Sequence, residues 1–316
     1  MPRDFVEVVE VSPRDGIQNE AVVLPSSDKA ALIGLARGAG LRRIEGASFV
    51  NPARVPQMAD AEAVLEAAGV EGLIGLVLNA RGLERAAAAG LGEINVVVVC
   101  TDAFALRNQG ADTAGLIDAA LAVLAAAPAG MRVGVTLAAA FGCPFEGEVP
   151  VSRVAWVAER LLAAPGRGFD ELALADTIGV ATPRDVAERL GAVSGLASGA
   201  GAGSASGAAS GSGAGVPLRL HLHDTRGTGL ANAWAGLEAG ARALDAGLGG
   251  TGGCPFAPGA TGNVATEDLV YLLERSGVDT GVDLDEAIRA AHWLETRLGS
   301  KAPGHLLRAG PFPQHA

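Results

Sequence analysis

The chain has 316 residues, 49% of them hydrophobic and only 4% aromatic, which is ample apolar surface for one large core. Its net charge of -11 removes the basic face that nucleic-acid binding needs, and leaves an anionic substrate dependent on local arginines or a metal ion. Cys100, Cys143 and Cys254 are an odd number without close spacing, which excludes a fully paired disulfide framework; no apolar run approaches the roughly 20 residues of a membrane span.

The chain opens into an apolar run at residues 6–11 that reads as a strand. No signal-peptide pattern precedes it, so a cytoplasmic location is expected. Strand-like runs follow at residues 43–48, 73–78, 94–100, 132–137, 171–176, 218–223 and 241–247, making eight. Val96-Val97-Val98-Val99 is continuously apolar, as parallel strands covered on both faces require. Helical segments rich in Ala and Leu lie between, at residues 28–37, 59–68, 113–126, 151–163 and 183–193. This alternation predicts an α/β fold, a closed (β/α)8 TIM barrel forming one domain over residues 1–316. Ser12-Pro13-Arg14-Asp15-Gly16 stands where a dinucleotide fold would carry its glycine-rich turn, so an open doubly wound sheet fits less well. Residues 194–215 are all Gly, Ala or Ser except Leu196 and predict a flexible insertion on the N-terminal face of the barrel. An additional C-terminal helix is expected at about 284–298, followed by a loose Pro/Gly-rich end.

Three clusters carry groups suited to chemistry. After the first strand, Arg14 is a permanent cation with several donors, fit for a carboxylate or enolate oxygen, and Asp15 is a hard oxygen ligand or a base. Taken alone, such a pair is also an ordinary turn with a surface ion pair. At the end of the seventh strand, His221 and His223 are two residues apart and project to one face, which suits a metal and equally suits two hydrogen-bonded core histidines. Closure of an eight-stranded barrel brings Asp15 near them. After the eighth strand, Gly-rich residues 247–263 predict a loop able to close over a ligand, with Cys254 inside it. Asn263 reads as a helix N-cap or as a carbonyl ligand. Asp, two His and Asn suit Mg2+ or Mn2+ better than a thiolate-rich zinc site. Cys100 and Cys143 have no ligand-like spacing and are expected to be packed or near the site.

In register, these pieces resemble the 3-hydroxy-3-methylglutaryl-CoA lyase family. The resemblance runs through residues 10–20, Ile44-Glu45, Ser48-Phe49-Val50, Val55-Pro56-Gln57-Met58, Gly142-Cys143-Pro144-Phe145-Glu146-Gly147 and Asp176-Thr177-Ile178-Gly179. It continues in His221-Leu222-His223-Asp224-Thr225, Gly252-Gly253-Cys254-Pro255-Phe256-Ala257 and residues 262–268. It implies a barrel holding one divalent cation through Asp15, His221, His223 and Asn263. Arg14 would stabilise the enolate of departing acetyl-CoA, Cys254 would protonate the carbanion, and Glu45 would be an acidic active-site residue. Gln18, Thr136, Asp176 and Thr177 would meet an acyl-CoA substrate, and the assembly implied is a homodimer.

Four departures bear on the acyl group. Thr136 stands where the family often has Tyr, and Ala173-Leu174-Ala175 where it often has Ser-Leu-Gly. Ala21 replaces a Lys, and Arg226 an aromatic residue. All four are expected near the C-terminal face of the barrel. A lyase for a differently substituted 3-hydroxy-acyl-CoA is therefore a second expectation. Isopropylmalate and homocitrate synthases share the Arg-Asp and His-x-His pairs, but the Cys254 loop and the lack of a long regulatory C-terminal domain favour a lyase. A non-catalytic CoA- or metal-binding protein would carry a damaged ligand set, and here every position is filled. Residues 297–301 read as a charged helix end or as a contact for CoA phosphates.

Overall fold

A computed structural model describes residues 5–197, 215–253 and 262–313. Eight parallel strands, β1 (Glu7–Glu10), β2 (Arg43–Ser48), β3 (Leu73–Val77), β4 (Glu93–Val99), β5 (Arg132–Ala138), β6 (Glu171–Asp176), β7 (Leu218–Leu222) and β8 (Ala243–Ala246), pair in sequence order. Val9 pairs with Arg43 on one side of β1 and Glu7 with Ala243 on the other, which closes the ring. The fold is a (β/α)8 barrel. All eight strands lie within a residue or two of the expected positions, because each is an apolar run bounded by turn residues.

The outer layer is formed by α1 (Ser26–Gly38), α2 (Ala61–Ala68), α3 (Ala80–Ala88), α4 (Asp102–Gln109), α5 (Thr113–Ala126), α6 (Val151–Leu162), α7 (Pro183–Ala197), α8 (Gly229–Glu238) and α9 (Thr266–Arg275). Each buries an apolar stripe against the strands, as Leu32, Ile33 and Ala36 do on α1. Asn79 and Asp112 cap α3 and α5 through their side chains. A small hairpin pairs Gly142–Cys143 with Gly147–Glu148 beyond β5.

Two expectations need correction. The helix after β6 continues to Ala197, so the Gly/Ala/Ser stretch is helical in its first four residues; residues 198–214 lie outside the described part. Burial of Val186, Leu190 and Val193 anchors that helix, and Ala at its end extends it at little cost. The described part of the C-terminal segment is also not loose. After α10 (Leu284–Leu298), Ala302, Leu306 and Leu307 are buried in a further short helix, α11 (Leu306–Ala309). The Asp268 carboxylate accepts the backbone N–H groups of His305 and Leu306, fixing the entry to that helix.

Candidate active site

The turn after β1 brings Arg14 and Asp15 over the C-terminal mouth. Val11 carbonyl oxygen accepts the amides of Arg14, Asp15 and Gly16 in one tight coil, which aims both side chains inward. Glu10, buried at the strand end, accepts N–H bonds from Ser12 and Leu248 and the hydroxyl of Thr266, joining this turn to the loop after β8. Glycine is required where the two loops meet. Gly252 has φ +109°, and a Cβ there would stand 2.6 Å from Asn263 Nδ2; a Cβ on Gly262, at φ +111°, would stand 2.1 Å from a backbone oxygen.

Asp15, His221 and His223 converge, each offering an atom within 4.8 Å of the others. Asp15 Oδ2 lies 3.9 Å from His221 Nε2 and 3.7 Å from His223 Nε2. Asn263 is bridged to His223 through the backbone and donates Nδ2 to Asp15 Oδ2 at 2.9 Å. It therefore belongs to this group and is not a helix cap, since α9 begins at Thr266. Burial pushes the Asp15 carboxyl up, but Arg14 and the two imidazoles outweigh it and hold it well below the usual carboxylate range. Burial depresses His221, and its bond to Asp245 with the charge of Asp15 more than restores it, leaving it raised.

The residues present fit a divalent cation. Asn263 Oδ1 is buried with no hydrogen-bond partner among the described residues, although an unpaired buried carbonyl is costly. Two imidazoles, a carboxylate and an amide oxygen form a mixed nitrogen–oxygen set without thiolate.

Arg14 is clamped from two sides. Nε bonds the buried Glu45 carboxylate and Nη1 bonds Asp15 Oδ1 at 2.7 Å, while Nη2 takes no partner among the described residues. Glu45 in turn accepts a long 3.4 Å bond from Asn95 Nδ2, and Asn95 Oδ1 accepts the Thr136 hydroxyl at 2.9 Å. These groups line a cavity of about 1080 Å³ that opens at the barrel mouth, together with Gln18, Ala175, Thr177 and Gly253. Most expected site residues are thus brought together. Asp176 is not among the lining residues: it is fully buried, and its carboxylate accepts the amides of Val180 and Ala181. Of the four departures, Thr136 and Ala175 line the cavity; Ala21 and Arg226 do not, and Arg226 instead donates to the carbonyls of Ile178 and Gly179. Cys254 lies outside the described residues.

The other cysteines are buried. The Cys100 thiol is pushed up to about 12 by burial, and Cys143 Sγ accepts the Thr101 hydroxyl at 3.1 Å. Arg297 faces Asp28 at 3.7 Å, as a charged helix end does. Sequence reading missed Asn95 and Asp245, single polar residues inside apolar strands. The interrupted apolar run Ile94-Asn95-Val96 was the available signal, since a polar residue at a buried strand position needs a partner.

The HMGL-like family profile matches residues 5–294, nearly the whole described barrel. The chain belongs to the HMGL-like family of lyases. It is 41% identical to the (R)-citramalyl-CoA lyase of Chloroflexus aurantiacus, over 98% of this chain and 97% of that protein. It is 37% identical to the mitochondrial hydroxymethylglutaryl-CoA lyase of Mus musculus, over 96% and 89%. A solved HMG-CoA lyase from Acinetobacter baumannii, in complex with coenzyme A and 3-methylmalate, superposes with a TM-score of 0.88 at 36% identity, covering 99% and 97%. HMGL-like lyases depend on divalent metals, in keeping with the Asp15, His221 and His223 group. Among the described residues no helix is long and apolar enough to cross a membrane.

Proposed function

We propose that residues 1–316 form one catalytic domain that cleaves 3-hydroxy-3-methylglutaryl-CoA into acetyl-CoA and acetoacetate by a metal-dependent retro-Claisen reaction. The convergence of Asp15, His221 and His223 beside a clamped Arg14 carries this reading. Asp15, His221, His223 and Asn263 would hold Mg2+ or Mn2+, and a bound cation supplies Lewis-acid polarisation of the C3 hydroxyl. A general base takes the C3 hydroxyl proton, the C3–O bond becomes a carbonyl as the C2–C3 bond breaks, and the electron pair of that broken bond passes to C2 and the thioester oxygen. Arg14 stabilises that oxygen as charge develops on it, and the Glu45 and Asp15 clamps hold the guanidinium in place before reaction. Its free Nη2 edge is the donor available to substrate. Asp15 stays ionised, so it serves as a ligand and a clamp and does not act as a proton donor. Cys254 is assigned the proton delivered to C2 on the sequence resemblance alone. Gln18 and Thr177 line the acyl-CoA cavity as substrate contacts.

A second substrate has its own support. Citramalyl-CoA carries its carboxylate directly on C3, one methylene closer, and cleaves by the same steps to acetyl-CoA and pyruvate. The Thr136–Asn95 pair gives the cavity wall a polar patch where the resemblance expects Tyr, and the Chloroflexus relative is named for this thioester. The deciding assay measures acetyl-CoA release from both thioesters, with reductant present and with Mg2+, Mn2+ or EDTA. His221→Ala and Cys254→Ala are the controls. Metal-dependent release lost in both variants supports the mechanism, and the faster thioester names the substrate. Metal binding without release from either would point to another acyl group; neither binding nor release would sink the reading.

A further inference from the structure

The interior of the barrel holds a column of charge beneath the site. Arg219 and His221 are two apart on β7 and project to the same side. Asp245 on β8 lies opposite His221 in the strand register. Its carboxylate is divided between them: Oδ2 is 3.1 Å from His221 Nδ1, and Oδ1 is 3.5 Å from Arg219 Nη1. Arg219 is 1% exposed and also reaches Glu171 Oε2 at 3.1 Å. Glu171 is gripped in turn by both terminal nitrogens of Arg43, at 3.0 and 2.9 Å. The Arg219 contacts are between charges and not hydrogen bonds, since Asp245 Oδ1 and Arg219 Nε and Nη1 make none among the described residues; a buried ionic network thus lies beneath the contact between Asp245 and the imidazole.

His223 differs. Its Nδ1 is buried and has no partner among the described residues. The two imidazoles face Asp15 through Nε2, yet only one has its far nitrogen held by an acceptor. In a neutral imidazole, a carboxylate acceptor at Nδ1 favours the tautomer with the proton on Nδ1, which leaves the lone pair on Nε2.

We propose that Asp245, with the charge of Arg219 beside it, is a positioning residue that fixes His221 as its Nδ1–H tautomer and presents Nε2 for ligation. The proposal rests on the reading of Asp15, His221 and His223 as a metal site. An asparagine at position 245 can turn its NH2 toward Nδ1, which favours the Nε2–H tautomer and removes the lone pair from the site.

Two measurements test this. Long-range proton–nitrogen spectra of metal-free wild type, at alkaline pH where imidazole is neutral, should show His221 as the Nδ1–H tautomer. Calorimetric titration with Mn2+ should show Asp245→Asn weakened about 10- to 100-fold, and its imidazole spectrum should shift to the Nε2–H form. A merely structural role for Asp245 would lower the melting temperature and leave the tautomer of the folded variant unchanged. Wild-type His221 in the Nε2–H form, or Asp245→Asn binding Mn2+ as tightly as wild type, overturns the proposal. If wild type bound no Mn2+, the metal reading would fail, and the wild-type tautomer would still decide the role of Asp245. The same spectrum decides it if Asp245→Asn does not fold.

Discussion

Both ends of the barrel interior are charged, but they are built differently. At the N-terminal end, Arg43 meets Glu7, Glu93 and Glu171, and Arg132 meets Glu93 and Glu171. Donors there face acceptors. At the C-terminal mouth, Asp15 Oδ2 and two imidazole Nε2 atoms point at one another, with Asn263 Oδ1 unpaired among the described residues and Arg14 held to one side. Potential ligand atoms converge there, and Asn263 Nδ2 donates to Asp15 Oδ2 among them. A buried network whose charges answer each other stabilises structure, whereas converging ligand atoms suit a cation or substrate.

Breaking the lower network tests the first half of that contrast. Arg43→Met takes one guanidinium from Glu7, Glu93 and Glu171. Arg132 still faces Glu93 and Glu171, and Arg219 still faces Glu171, so the cost in denaturant unfolding should be about 3 kcal/mol, the low end of the range for breaking a buried pair. Acetyl-CoA release per folded molecule should fall far less than on loss of Arg14. At the mouth the larger effect is expected on rate. Arg14→Met should lower kcat by about 10²–10³-fold, as loss of one preorganised donor does, and should also lower stability, because it leaves the buried Glu45 carboxylate without its cation. Equal effects of the two substitutions on stability and rate would erase the distinction.

Thr136→Tyr sharpens the comparison within the mouth. It removes the hydroxyl bond to Asn95 and fills cavity space, so the ratio of kcat/KM for the two thioesters should move at least about tenfold, the scale of one methylene of discrimination. An unchanged ratio would remove Thr136 from substrate selection.

Glu267 tests the importance of pairing, because it is a buried carboxylate with no cation against it among the described residues. It accepts the Gly249 amide, while Oε1 has no partner; burial raises its pKa from 4.5 to about 8. The folded state therefore binds more protons than the unfolded chain between these values. Stability from this group is full below pH 4.5 and is lost as pH rises through about 8. Glu267→Gln keeps the acceptor and cannot ionise, so its melting temperature should gain on wild type by a few degrees as pH rises to 9. Parallel curves for the two proteins would show that Glu267 does not titrate in this way.

Much of this was legible in the linear chain. The eight strands could be read because each apolar run is bounded by polar or glycine-rich turns, and His221-Leu222-His223 declared its face through the two-residue period of a strand. The C-terminal segment misled, because its Pro and Gly content hides the burial of Ala302, Leu306 and Leu307. For Asp176 the structure shows a different placement: its carboxylate at the strand end accepts the amides of the following turn.

The sequence by itself determined the barrel and the types of group at its mouth, because strand period and residue chemistry are local properties. The tertiary structure decided which groups meet. Asp245 reaches His221 because β7 and β8 pair in that register, and Arg14 reaches Glu45 because β2 lies beside the turn after β1. Asp15 and His223 are 208 positions apart in the chain and 3.7 Å apart in space, since closure of the ring carries the first strand round to the last. No local pattern encodes such a distance.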